Sequence, residues 1–378
     1  MQKFTIKTDR ESSVNILWLS WKDSEHPHAG GAEIVKSQLC QRLTADGHSV
    51  IQLTGGFSGG TAETKLDGSR IIRLGNRWSV YLYALMYYWR NLRGWPDLVI
   101  DECNTMPFFA SLYCRESVVT VIHQLAQEIW FYQMPTPLSW IGYFLEPVYL
   151  RLLHKNRVLT ISESTRSDLI RNGFRRDFIK IIRMGTDIDP LLSLDLIKKY
   201  TEPTLLYLGS LRAMKRPDHV VKVFKEAREK IPNLRLLIAG SGDGDYFIEF
   251  MKEINASVDV GEIEYLGKVT REKKIELMQK SHVIVVTSLK EGWGLIVTEA
   301  ASQGTPAAVY DVDGLRDSVK NGETGFVTNP EPCALAAAIT DMLSNDAKYQ
   351  QLRHQAWEWS KEITFDNSYK DFKRALNI

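Results

Sequence analysis

Glu291 and Glu299 bracket a short glycine loop and the start of a helix in the stretch EGWGLIVTEAASQGTP (291–306). The apolar run HVIVVT (282–287) precedes it and reads as a strand buried on both faces. Gly292 and Gly294 allow a ligand to approach the backbone closely. The amides of Gly292, Trp293, Gly294 and Leu295, together with the N-terminus of the helix that opens near Leu295, favour anionic oxygens such as those of a diphosphate. An ionised carboxylate only accepts hydrogen bonds, so Glu291 and Glu299 suit groups rich in hydroxyls, a sugar and a ribose. A second strand-to-helix junction is GSLRAMKRPD (209–218), with Pro217 fit for the first helical position. Lys215 there is a compact cation that could meet the growing negative charge of a phosphate leaving group. Gly30 and Gly31 form another glycine loop before a helix that opens at Ala32–Glu33. His123 ends the run SVVTVI, and Glu128 follows five residues later.

These residues need elements to hold them, and the pattern supplies two series. Strands are expected at 14–20, 49–54, 70–74, 97–102, 117–122 and 157–161, with helical runs between them. Ala32, Val35, Leu39 and Leu43 form one apolar stripe, and Gly47 suits the helix stop. A second series begins near 203, with strands PTLLYLG, LRLLIAG, EIEYLG, HVIVVT, PAAVY and TGFVT. The irregular stretch 185–203 reads as a linker, and the C-terminal run as helical. The expected fold is α/β, two Rossmann-like doubly wound domains: 1–190, and 191–359 with a final helix 360–378 returning to the first.

The glycine loop with its two glutamates resembles the E-x7-E signature of the retaining glycosyltransferases of family 4, which have the GT-B fold. Four further segments resemble that family in the same order along the chain: HPHAGGAEIVKSQLCQRLTADGH, LTISESTRSDLIRNG, GSLRAMKRPD and GLRDSVKNGETGFVT. The resemblance implies two domains facing across a cleft, a nucleotide-sugar donor on the C-terminal one and an acceptor on the N-terminal one. It implies a diphosphate clamp at Lys215, sugar hydroxyls on Glu291, the ribose on Glu299, and His123 close to the transferred sugar. Gly30 and Gly31 would line the donor, while Glu33 is either acceptor-side or a first-turn charge, and Glu128 would position an acceptor. The family normally has a basic residue where this chain has Ser210, so Arg212 or Arg216 would have to reach the phosphates instead.

Other classes lose support. A net charge of +1 is too small for nucleic-acid binding by bulk electrostatics. Four cysteines without a C-x-x-C pair fit a reducing compartment and argue against structural zinc. GSGDGD (240–245) lacks the dinucleotide spacing, and no P-loop or H-E-x-x-H motif occurs. DVD (311–313) and DID (187–189) are short acidic loops, and no metal is expected, nor any cofactor beyond the donor. The N-terminus lacks a secretory apolar run, and no membrane span is expected. Of 39 aromatic residues, 14 fall in the windows 78–95 and 130–149, the first interleaved with Arg90 and Arg93 and the second running into Arg151. Nine basic residues against three acidic ones occupy Arg151–Arg183. Trp and Tyr beside Arg and Lys suit a membrane interface, with core packing or a sugar platform as the alternative. The expected protein is therefore cytoplasmic, with the inner face of an anionic membrane as a further partner. Its acceptor would be a glycan, a lipid-linked group or a small molecule. A GT-B epimerase or phosphorylase, or a non-catalytic sugar- or lipid-binding scaffold, are the rival readings; Ser210 alone supports the last.

Overall fold

The computed structural model describes residues 13–256 and 262–378. Residues 1–12, part of the stretch read as lacking a secretory run, and residues 257–261 lie outside the described residues. The chain divides into two compact units. One holds the described residues up to Gly185 together with Phe365–Ile378, and the other holds Thr186–Thr364.

The first unit is an eight-stranded sheet of β1 (Asn15–Leu19), β2 (Ser49–Thr54), β3 (Glu63–Leu66), β4 (Ser69–Arg73), β5 (Leu98–Cys103), β6 (Ser117–Ile122), β7 (Arg157–Thr160) and β8 (Ile179–Ile181), in the order β3-β4-β2-β1-β5-β6-β7-β8. Only β3 runs antiparallel to its neighbour. β5 is buried at all six positions, as a parallel strand covered on both faces must be. The helix Gly31–Ala45 ends where Gly47 takes a left-handed φ of 87°. Its buried face is wider than the apolar stripe: Glu33 and Lys36 are as buried as Val35 and Leu39.

The second unit is a six-stranded sheet of β9 (Thr204–Leu208), β10 (Arg235–Ala239), β11 (Ile263–Gly267), β12 (Val283–Val286), β13 (Ala307–Tyr310) and β14 (Gly325–Thr328), in the order β11-β10-β9-β12-β13-β14. All its pairings are parallel. The C-terminal run is two helices rather than one. Asp346–Ser360 puts Tyr349 and Leu352 into the core of the second unit. Phe365–Leu376 puts Phe372 against Trp18 in the first, with ring centroids 6.0 Å apart.

In both sheets the chain works outward from the centre in one direction, then returns and works outward in the other. The reversal falls between β1 and β5 in the first sheet and between β9 and β12 in the second. At such switch points the loops after adjacent strands part, leaving a crevice at the carboxyl ends.

Candidate functional site

Three loops meet beyond the carboxyl ends of β9, β12 and β13. The amide of Leu289 bonds to the carbonyl of Met214 at 2.9 Å, and buried Thr287 donates its hydroxyl to the carbonyl of Arg216 at 2.7 Å. The amide of Glu291 bonds to the carbonyl of Asp313 at 3.0 Å. This lacing brings Lys215 Nζ to 2.5 Å from Glu291 Oε1, which also accepts from Ser288 Oγ at 2.7 Å. An ammonium and a carboxylate thus share the switch point of the second sheet, both partly open to solvent. The helix Leu295–Ser302 begins beside them at Gly294, whose φ of 89° suits glycine. Trp293 Nε1 is buried without a hydrogen-bond partner.

Glu299 lies on the next turn of that helix, 6% exposed, with Lys274 Nζ at 2.6 Å. Burial raises its pKa against the pull of Lys274. The two glutamates of the motif therefore hold separate cations. On the other side of β9, the amide of Leu211 bonds to the carbonyl of Ser241, and a Cβ on Gly240 would stand 1.8 Å from the carbonyl oxygen of Gly209. Leu208, Gly209, Ser210, Gly240, Ser241, Lys268, Lys274 and Ile296 line one depression there. Ser210 is half-buried and its carbonyl accepts from Tyr207 Oη, Arg212 is exposed, and Arg216 caps the Pro217–Arg228 helix with φ 48°. Asp311 and Asp313 both pair with Arg316, and Asp313 also pairs with Lys290.

Gly314 is the hinge of this arrangement. Its φ is 79°, and a Cβ would meet the carbonyl oxygen of Glu291 at 2.3 Å. Gly314→Ala is expected to cost about 2–3 kcal/mol in a denaturant titration and to displace the Glu291 loop, lowering activity more than the loss of stability accounts for. An alanine variant of native stability would show that the loop has room to yield.

The first unit holds a buried charge network at its own switch point. Glu102, at the end of β5, is 1% exposed. It accepts from Trp18 Nε1 at 2.8 Å, faces Lys36 Nζ at 3.7 Å, and lies 3.5 Å from His123 Nε2. Burial opposes its ionisation, but Lys36, His123 and Trp18 outweigh burial and hold its pKa at about 2. Asn104 bridges Glu102 to Glu33, whose other oxygen accepts from the amide of Gly30 at 2.7 Å and faces Lys22 at 3.2 Å. Lys36 in turn donates to the carbonyl of Lys22. His123 is thereby oriented by a carboxylate, and its carbonyl accepts from Thr165 Oγ1 at 3.0 Å.

The residues singled out in the sequence therefore fall into two groups, one in each unit. Lys215, Glu291, Gly292, Trp293, Gly294 and Leu295 share one corner of the second unit, with Ser210 and Glu299 toward β10. Gly30, Gly31, Glu33 and His123 share the first unit's network, where Glu33 faces inward and caps its helix. Glu128 is exposed on the turn Gln127–Ile129. Sequence reading missed Glu102, Lys36 and Asn104. The available signal was the carboxylate pair Asp101–Glu102 closing an otherwise apolar strand.

Comparison with known proteins bears on both units. Residues 29–190 match the model of Glycosyltransferase Family 4, and residues 195–359 match that of Glycosyl transferases group 1. The chain belongs to the family 4 glycosyltransferases. Its two units are those of the GT-B fold, shared with solved glycosyltransferase structures. A sucrose-phosphate synthase from Thermosynechococcus elongatus superimposes with a TM-score of 0.75 over 96% of this chain and 98% of that one, at 19% identity. Anabaena HepE, solved in complex with UDP-glucose, gives 0.71 over 96% and 99%, at 17% identity. Among curated family relatives, a D-inositol 3-phosphate glycosyltransferase of Nocardia farcinica is 28% identical over 208 residues, 52% of this chain and 46% of that protein. A poly(glycerol-phosphate) alpha-glucosyltransferase of Bacillus subtilis is 31% identical over 172 residues, 45% of this chain and 25% of that protein. The matched region thus spans less than half the length of these curated relatives.

Proposed function

We propose that this family 4 glycosyltransferase moves a hexosyl unit from a nucleoside diphosphate sugar, UDP- or GDP-linked, to a hydroxyl of a glycan, lipid-linked or small-molecule acceptor, with retained anomeric configuration. The observation that carries this reading is the Lys215–Glu291 pair, at 2.5 Å, beside a helix N-terminus at the switch point of the second sheet. The anomeric C–O bond to the diphosphate breaks, the acceptor oxygen bonds to the same carbon, and its proton passes to the departing phosphate. Lys215 and the amides of Gly294 and Leu295 stabilise the charge that grows on the phosphate. Glu291, held in place by Lys215 and Ser288, accepts from sugar hydroxyls, and Glu299 from the ribose. His123, oriented by Glu102, serves the sugar end of the reaction. The side chain of Arg212 or Arg216 supplies the second phosphate contact in place of Ser210. This chemistry requires no cofactor beyond the donor.

The test is an acceptor-panel assay with α-linked UDP- and GDP-sugars, reading the anomeric proton of the product by NMR. An α-linked product is expected. A β-linked product would overturn the retaining mechanism. Sugar turnover without acceptor, or a strict need for free phosphate, would move the assignment to an epimerase or a phosphorylase.

A further inference from the structure

The helix Leu138–Leu153 is apolar on its outer side as well as its inner one. Its buried side carries Ser139, Gly142 and Glu146, with Tyr149, Leu150 and Leu153 packed into the core at its C-terminal end. Its exposed side carries Leu138, Ile141, Phe144, Leu145, Val148 and Leu152 at three- and four-residue spacing, Phe144 being 63% and Leu152 57% exposed. Local packing explains the inner face. Gly142 lies flat on the ring of Trp130, where a Cβ would come within 2.3 Å. Glu146 accepts from the amides of Ala126 and Gln127 at 2.7 and 2.6 Å and from Trp130 Nε1 at 3.2 Å. Nothing in the core of the unit calls for the outer face. Exposed Phe131 and Tyr132 extend it, with the Phe131 ring 4.8 Å from Trp140 and Trp140 stacked on Phe144 at 5.8 Å. In the other aromatic window Tyr81, Tyr87, Tyr88 and Trp95 pack against the core, and Trp78, Tyr83 and Trp89 are exposed.

Charge identifies the occupant. From Phe131 to Asn156 the exposed charged side chains are Arg151 and Lys155, while the single carboxylate, Glu146, faces inward. A second copy of the chain would bring the same positive charges to such a contact, whereas anionic lipid complements them. Amphipathic aromatics and a basic end over an apolar stripe about 24 Å long match a helix lying in the plane of a bilayer interface. No described helix is long and apolar enough to cross a membrane.

We propose that the first unit docks on an anionic lipid bilayer through the outer face of Leu138–Leu153. Resting on the glycosyl-transfer reading, the acceptor is then a lipid-linked hydroxyl. Through Glu146 the helix holds the loop that follows His123, so a bilayer under the helix brings a lipid-anchored group to the loop bearing Gln127 and Glu128.

The experiment is co-sedimentation of the full chain with vesicles of phosphatidylglycerol and phosphatidylcholine, and with phosphatidylcholine alone. Wild type should pellet with the mixed vesicles and far less with the neutral ones. Phe144→Gln with Val148→Gln should lower binding by roughly tenfold or more. Arg151→Gln with Lys155→Gln should lower binding to the mixed vesicles by about tenfold and leave the neutral ones unchanged. Absence of pelleting, equal binding to both vesicles, or wild-type binding by the Phe144/Val148 variant would each overturn the proposal. So would a lipid-free dimer, seen by sedimentation velocity, that this variant disperses. Thermal shifts with UDP-glucose and GDP-mannose keep the two readings apart. Loss of vesicle binding with an intact donor shift sinks the docking alone, and vesicle binding without any donor shift sinks the donor reading alone.

Discussion

Replacing Lys215 by alanine is expected to lower turnover of the nucleotide sugar by roughly 10²–10³-fold, while the protein stays folded. The side chain stands on the turn Ala213–Lys215 and is 26% exposed, so its loss removes little packing. Its ammonium is the partner of Glu291 Oε1, and an ammonium in this corner is worth most when charge is building on a leaving phosphate. A transition-state contact shows as a fall in kcat that exceeds the rise in KM. Lys215→Arg should recover part of the rate, because charge is kept while the compact geometry is not. Both are read by steady-state kinetics on the best donor. An alanine variant within about threefold of wild type would remove Lys215 from the phosphate site.

The second large effect lies in the first unit. Glu102→Ala is expected to destabilise the protein by about 3–5 kcal/mol, because it leaves Lys36 buried with its charge uncompensated and Trp18 Nε1 without its acceptor. The sign with pH follows from the depressed carboxyl. Glu102 contributes stability that is fully present above its unfolded value near 4.5 and is lost as pH falls toward about 2. Its neighbour Asp101 acts oppositely: burial raises its pKa to about 6, so acidification from 6 to about 4 relieves a cost. The two windows separate on a pH series of denaturant midpoints. Glu102→Gln should flatten the limb below pH 4.5 and leave the higher one. It should also release the His123 ring, read as a fall in kcat larger than the loss of stability accounts for. An unaltered acid limb in the glutamine variant would contradict the assigned charge network.

What could be read from sequence was local. β9, β12 and β13 are unbroken apolar runs because both faces of a central parallel strand are covered. β3 (ETKL) and the three-residue β8 are edge strands with charged positions, so no run announces them. Glu291, Gly294 and Lys215 each sit in a strand–loop–helix junction a few residues long, which sequence displays directly. The Glu102 network draws Trp18 from β1, Lys36 from the helix Gly31–Ala45 and His123 from the end of β6, and only the tertiary fold brings them together. The aromatic run at 130–149 was visible, but its outward direction depends on Gly142 seating against Trp130 and Glu146 capping a distant loop, neither of which spacing reveals.

A thermal-shift panel of UDP-, GDP-, ADP- and dTDP-sugars on wild type and Lys215→Ala tests the donor site most directly. One nucleotide sugar, at a hundredfold excess over its Kd, should stabilise the wild type by about 2.7 kcal/mol, a rise of roughly 5–10 °C in the melting of the second unit. The Lys215 variant should show much less of that rise. No shift by any nucleotide sugar at millimolar concentration, or an equal shift in the two proteins, would contradict the assignment of the Lys215–Glu291 corner to the donor.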